Sequence, residues 1–389
     1  MSHSTGISDL GLDLASLTVH ADDNLALVSD VTTPLHVSTT YHYNDDPSKL
    51  KSAREHDIRV ADKPGSFIYS RFSTPVIERL EAVVSAALNG HAIVYSSGLA
   101  AYTAALAHYH PKKLSIGDGY HGCHGVARIF TRLSNMEQIE LYDENLGEGD
   151  LMHIETPINP TGLSVDLAKA VEFAHSRGAK VLVDATFAPP PLQDPFEFGV
   201  DMVMHSATKY LGGHSDLLAG VLVTKDDDVR MRLLQDRGML GGAPGNFESW
   251  LLLRSMRTFK MRVETQSRNA TTVVQFLNSA IKNSEIPVLK TIYHSSLQTE
   301  DFVRKQLKNG LFGPTFSIEV ESIEVAKTLP SRLKLFHHAT SLGGVESLIE
   351  WRAMTDEHVS QTLLRLSIGV EDADDLIADL KQGLLSFSK

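Results

Sequence analysis

The chain is nearly without cysteine: Cys123 is the single thiol among 389 residues, so no internal disulfide can form. Aromatic residues make up only 7%, and no apolar run reaches the ~18 residues that a membrane-spanning helix requires. The longest uncharged stretch, residues 92–109, is interrupted by Ser96, Ser97, Gly98, Tyr102, Thr103 and His108 and reads as a buried strand followed by a helix. No cluster of Lys or Arg offsets the formal charge of −12, which argues against nucleic-acid or anionic-membrane partners. Residues 1–17 carry no basic segment followed by an apolar one, and the last four match no retention address, so a cytoplasmic location is expected. What is present, 42% hydrophobic and 22% charged residues, describes a folded globular protein of two or three domains. Its expected partners are small molecules and further copies of itself.

Residues 1–65 are polar and irregular and read as an arm with one short helix. Over residues 66–255 short apolar runs alternate with helical patterns. Ala92-Ile93-Val94-Tyr95, Leu151-Met152-His153-Ile154, Val181-Leu182-Val183 and Met202-Val203-Met204 read as buried strands, with helices at 75–88, 98–108 and 167–177 between them. That order predicts an α/β architecture with a mostly parallel sheet covered on both faces. Residues 256–389 predict a smaller α+β domain, with a long helix at 257–282, strands at 315–320 and 364–368, and a closing helix at 373–384.

The sharpest chemical signal is His205-Ser206-Ala207-Thr208-Lys209-Tyr210, directly after an apolar strand. Taken alone, Lys209 reads first as a surface lysine in a hydroxyl-rich turn. A buried lysine there would instead be an amine of suppressed charge, able to form a Schiff base with a carbonyl cofactor. Twenty-five residues earlier Asp184 ends another strand, where open α/β sheets bind ligands. Alone it suits a turn; with Lys209 it suits the partner of a pyridinium nitrogen. Tyr95-Ser96-Ser97-Gly98-Leu99 gives a strand, a tight turn and a helix N-terminus, whose free N–H groups favour a phosphate.

These segments resemble the Cys/Met-metabolism pyridoxal phosphate (PLP) enzymes, which include cystathionine synthases and lyases and methionine γ-lyase. Residues 206–216 are similar to that family's lysine signature, and Glu155-Thr156-Pro157-Ile158-Asn159-Pro160 to its Asn-Pro loop. Residues 251–262, 341–347 and 364–369 resemble three further blocks, with Ser255 where glycine is usual. The resemblance implies a fold type I, aspartate-aminotransferase-like architecture with PLP as cofactor and a small amino acid as substrate. It implies Lys209 and Tyr120 as catalytic groups. Gly98, Leu99, Ser206 and Thr208 would hold the phosphate, Asp184 the ring nitrogen and Asn159 the 3-hydroxyl. Arg365, with Ser341 and Asn159, would bind the substrate carboxylate, and Tyr69 and Arg71 would reach a neighbouring subunit's phosphate in a homodimer or homotetramer.

The chain also departs from the pattern. Gly125 stands where members that process cystathionine carry an arginine, five positions after the tyrosine, and Thr340 precedes Ser341 where synthases and γ-lyases often carry Glu. The segment 120–126 reads as a loop in which His121, Cys123 and His124 shape the pocket, Cys123 being reactive if exposed; without a second donor cluster no metal is expected. The favoured activity is γ-replacement on an O-acylated homoserine; the alternatives are β- or γ-elimination of a C–S bond and, further off, cofactor binding without turnover.

Overall fold

A computed structural model describes residues 11–52, 54–55 and 67–387. The four apolar runs become β1 (His91–Tyr95), β4 (Leu151–Glu155), β5 (Lys180–Asp184) and β6 (Met202–His205) of a seven-stranded sheet, which β2 (Lys113–Ile116), β3 (Glu137–Ile139) and β7 (Gly220–Thr224), not read from the sequence, complete. Their order is β1-β7-β6-β5-β4-β2-β3. The pairs from β3 through β6 are parallel, whereas β7 runs antiparallel to both β6 and β1. Alternate residues pack on opposite faces, as the strand period of two requires. Val94, Met152, Ile154, Val181, Val183 and Val203 join one apolar cluster. Ile93, Leu151, Leu182, Met202 and Met204 join the other.

The crossover helices are capped as their sequences suggest. Thr74 Oγ1 accepts from Ile77 N at 3.2 Å with Pro75 in the first turn, and Ser97 Oγ accepts from Ala100 N at 3.1 Å. The observed helices Pro75–Ala87, Gly98–Tyr109 and Leu167–His175 stay within two residues of the expected spans. Residues 120–126 do not form a loop: Tyr120 precedes a helix at His121–Ser134. Cys123, Val126, Ala127 and Phe130 lie at i, i+3, i+4 and i+7 and pack into one core stripe, a pattern that Gly122 and Gly125 obscure in the sequence.

A second sheet of five strands takes β8 (Leu289–Tyr293), β9 (Thr315–Val320), β10 (His337–His338), β11 (Leu348–Trp351) and β12 (Leu363–Ser367) in the order β10-β11-β12-β9-β8. The long helix expected at 257–282 spans Phe259–Lys282 and is separated from Asn246–Met256 by Arg257 and Thr258. Phe259 and Val263 pack in the core of the large sheet, while Ala270, Val273, Val274 and Leu277 pack against the small one, so one helix serves both cores. Residues 11–52 contain the helix Leu14–His20 and two short 3-10 turns. The remainder of the expected arm, residues 1–10, 53 and 56–65, lies outside the described residues.

Candidate active site

The C-terminal ends of β4, β5 and β6 deliver Glu155, Asp184 and the segment from Ser206 to Lys209 to one side of the large sheet. Opposite them, β12 carries Arg365 between Leu364 and Leu366; those two leucines enter the small-sheet core, which sends the arginine to the other face. Gly98, Leu99, Tyr120, Asn159, Asp184, Ser206, Thr208, Lys209, Ser341 and Arg365 thereby line one pocket of about 540 Å³, within the usual size range for small-molecule sites. Tyr69 and Arg71 do not line it: Arg71 Nη1 donates to Gly238 O at 2.7 Å, and its guanidinium lies over the Phe72 and Tyr69 rings.

Lys209 Nζ donates to Ser341 Oγ at 2.7 Å. Burial, reinforced by the charge of Arg365 and opposed by Glu350, lowers this amine to about 8. Gly343, at φ +82°, holds the loop of Ser341 against it: a Cβ there would fall 2.7 Å from Tyr210 N. Asp184 accepts from Thr186 N at 2.9 Å and from Thr186 Oγ1 at 2.5 Å, both through Oδ1. Burial raises its carboxyl despite those bonds. The carboxyl of Glu155 is pushed up to about 8 by burial and by Asp184, against two backbone donors. Those donors are Tyr120 N at 2.7 Å and Asn159 N at 2.6 Å, so one carboxylate positions both residues.

Arg365 Nη1 donates to Asn159 Oδ1 at 3.0 Å, and Nη2 donates to Ser341 O at 2.9 Å and to Glu350 Oε2 at 2.5 Å. Burial lowers the guanidinium to about 10, which leaves it charged. Glu155, Thr186, Glu350, Arg352 and Thr355 line the same pocket without having been singled out as site residues from the sequence. Glu155 lies inside a quoted motif and could have been found there; Glu350 and Arg352 carry no comparable sequence signal.

Cys123 is a buried thiol, not an exposed one, and burial pushes its pKa well up, so it is no ready nucleophile. Among the described residues no three His, Cys, Asp or Glu side chains gather at ligating distance, and His121, Cys123 and His124 do not converge. The place of a Cβ on Gly125 is 3.9 Å from Arg128 Nη2, so the neighbouring cation belongs to the next turn of the same helix.

A doubly wound sheet with a lysine beyond one strand, an aspartate ending the next and a helix N-terminus on the third defines a PLP-dependent enzyme of fold type I. The chain belongs to the Cys/Met metabolism PLP-dependent enzyme family, whose model matches residues 15–385. It is 33% identical to L-methionine gamma-lyase of Fusobacterium nucleatum, over 95% of this chain and 98% of that protein. It is 34% identical to cystathionine gamma-synthase of Escherichia coli, over 92% and 94% respectively. The solved structure of metB from Corynebacterium glutamicum superimposes with a TM-score of 0.86 at 29% identity, covering 97% of this chain and 99% of that one.

The residues fit the cofactor. The helix that starts at Gly98 turns its N-terminus, where the first N–H groups have no intrahelical acceptor, towards Ser206, close enough that a Cβ on Gly98 would lie 3.1 Å from the serine Cβ. Among the described residues both hydrogen bonds to Asp184 fall on Oδ1, which keeps Oδ2 for a ring N–H. Lys209 would supply the amine.

Proposed function

We propose that the protein catalyses γ-replacement on an O-acylated L-homoserine. The observation that carries this reading is the double use of Ser341: its hydroxyl holds Lys209 Nζ at 2.7 Å and its carbonyl holds Arg365 Nη2 at 2.9 Å. A substrate whose α-carboxylate is bound by Arg365 therefore presents its Cα and Cβ to the lysine amine. Bound PLP supplies an electron sink that stabilises negative charge at the substrate carbons. Gly98, Leu99, Ser206 and Thr208 would hold its phosphate, Asp184 its ring nitrogen and Asn159 its 3-hydroxyl. Lys209 takes the proton from Cα and, once it has passed that proton on, a second from Cβ; the Cγ–O bond breaks and the acyl group leaves as a carboxylate; a thiol then forms the new Cγ–S bond, its proton leaving with the carboxylate, and Lys209 returns one proton to Cβ and one to Cα. Tyr120, whose hydroxyl burial keeps protonated, closes one side of the pocket and serves in proton transfer. A cystathionine gamma-synthase is among the relatives, which supports replacement.

One observation favours C–S elimination instead. Gly125 offers no side chain where members that process cystathionine carry an arginine, and a methionine gamma-lyase is among the relatives. Incubation with O-acetylhomoserine, with and without cysteine, and separately with cystathionine or with methionine, separates the two. Cystathionine formed only when cysteine is present is expected; keto acid from cystathionine or methionine, with acylated homoserines untouched, would overturn replacement. Turnover itself is tested by the purified protein's near-visible absorption band, expected to disappear in Lys209→Ala.

We further propose that Tyr69 and Arg71 complete the pocket of a partner copy in a homodimer or a tetramer of two such dimers, since they lie outside their own. Among the described residues no helix is long and apolar enough to cross a membrane.

A further inference from the structure

Both N–H groups of Arg365 Nη2 already have acceptors. Nη2 already donates to Ser341 O and to Glu350 Oε2, and Nη1 to Asn159 Oδ1. A bidentate carboxylate needs two parallel N–H groups on one edge of the guanidinium, and each such edge includes Nη2. An incoming carboxylate must therefore displace an acceptor. Ser341 O belongs to the backbone; Glu350 is a side chain and carries the like charge that would repel the ligand.

Glu350 has a second cation within reach. Arg352 is only 4% exposed and lines the same pocket. Its Nη1 lies 3.2 Å from each oxygen of Glu350, longer than the ~2.7–2.9 Å of a tight charge-assisted bond. Its Nε is buried with no hydrogen-bond partner. Among the described residues Nη2 reaches only Asp356 Oδ2, at 3.4 Å. Thr355 Oγ1 bridges the pair, accepting from Arg352 Nη1 at 2.9 Å and donating to Glu350 Oε1 at 2.7 Å. Glu350 and Arg365 face each other directly in the β11–β12 register, so their backbones are fixed and only the carboxylate has to turn. Arg352 is thus a buried cation with slack bonds and an unused donor, beside the one anion that occupies the clamp.

We propose that Arg352 is a positioning residue for substrate binding: it takes over the carboxylate of Glu350 when the substrate's α-carboxylate takes its place on Arg365. The clamp opens by exchange of ion-pair partners, and neither Glu350 nor Arg365 is left bare in a buried site. Ligands without a carboxylate do not drive the exchange. The inference rests on Arg365 being the carboxylate clamp and is independent of which reaction follows.

The test uses the holoenzyme and L-norvaline, an amino acid with no leaving group, with the dissociation constant measured by calorimetry. Arg352→Met is expected to weaken binding about tenfold or more, as for a lost hydrogen bond to a charged group. The double variant Glu350→Gln, Arg352→Met is expected to recover binding to within about threefold, because a neutral amide yields the fork and the two effects are coupled. For the reacting substrate, KM should rise with the dissociation constant while kcat falls less. An unchanged dissociation constant in Arg352→Met would overturn the proposal. So would a double variant as weak as the single one, which would make Arg352 a direct ligand contact. Arg365→Met separates the two levels: if it binds norvaline as wild type does, the clamp assignment itself fails, whereas a weak Arg365→Met beside a normal Arg352→Met removes only the exchange. Should Arg352→Met not fold, Arg352→Lys keeps the charge and loses the fork, and a smaller weakening, again relieved by Glu350→Gln, is expected.

Discussion

Lys209 shows how a single side chain takes its chemistry from its surroundings. An ordinary lysine is almost wholly protonated at neutral pH; at about 8 the neutral amine becomes a sizeable fraction. Only the neutral amine attacks an aldehyde. Reconstitution of the cofactor-free protein with PLP is therefore expected to speed up about tenfold per pH unit below pH 8 and to level off above it. The check is stopped-flow absorbance between pH 6 and 9, and a flat profile below 8 would contradict the lowered value. Lys209, Asp184 and Asn159 were legible in the sequence because each sits at the end of a recognisable apolar strand or in a dense motif. Glu350 and Arg352 were not, since their meaning appears only when β11 is laid against β12 and a residue 15 positions away becomes a direct neighbour. Whether Cys123 is exposed could not be read for the same kind of reason: exposure is a property of packing, and its helix turns the thiol inward.

At the scale of elements, the strands and helices that were read from periodicity and caps have ends within a residue or two of expectation, whereas β2, β3, β7, β8, β10 and β11 were not read from the sequence. Glycine misled at His121–Ser134, where two helix-disfavouring residues hid an apolar stripe that tertiary packing uses. How the N-terminal segment is fastened could not be read at all. Asp22, fully buried, accepts from Arg79 Nε at 2.6 Å and from Arg257 Nη1 and Nη2 at 2.7 and 2.8 Å. It joins the segment after Leu14–His20 to the helix Pro75–Ala87 and to the residues between the two later helices. Asp22→Ala leaves both guanidiniums uncompensated and is expected to cost about 3–5 kcal/mol in denaturant unfolding, the range for breaking a buried pair. Burial alone would raise the Asp22 carboxyl, but Arg257 and then Arg79 outweigh it and hold the group below its ordinary value. Its stabilisation is thus complete above the usual carboxyl range and is lost as the pH falls through the lowered value. In Asp22→Ala that portion of the acid-induced loss of stability should be missing.

At the scale of the molecule, the pocket lies between two sheets, and two of its expected contributors, Tyr69 and Arg71, remain outside it within one chain. If they act on a partner copy, a Tyr69→Ala chain and a Lys209→Ala chain, each inactive, complement one another when refolded together. Random pairing in a two-fold dimer should return about one quarter of the wild-type activity, because half the dimers are mixed and each mixed dimer has one intact site. No recovery would place both residues in a purely local role. The fold also ties the clamp to its own correct assembly. Strand side chains alternate, so sliding β12 by one residue against β11 and β9 would drive the Arg365 guanidinium into the apolar cluster of Leu364 and Leu366 and turn those leucines out of it. The arginine proposed to receive a substrate thus also penalises a misregistered sheet, and a chain with Arg365→Leu would lose a guard on its folding along with the proposed grip on amino acids.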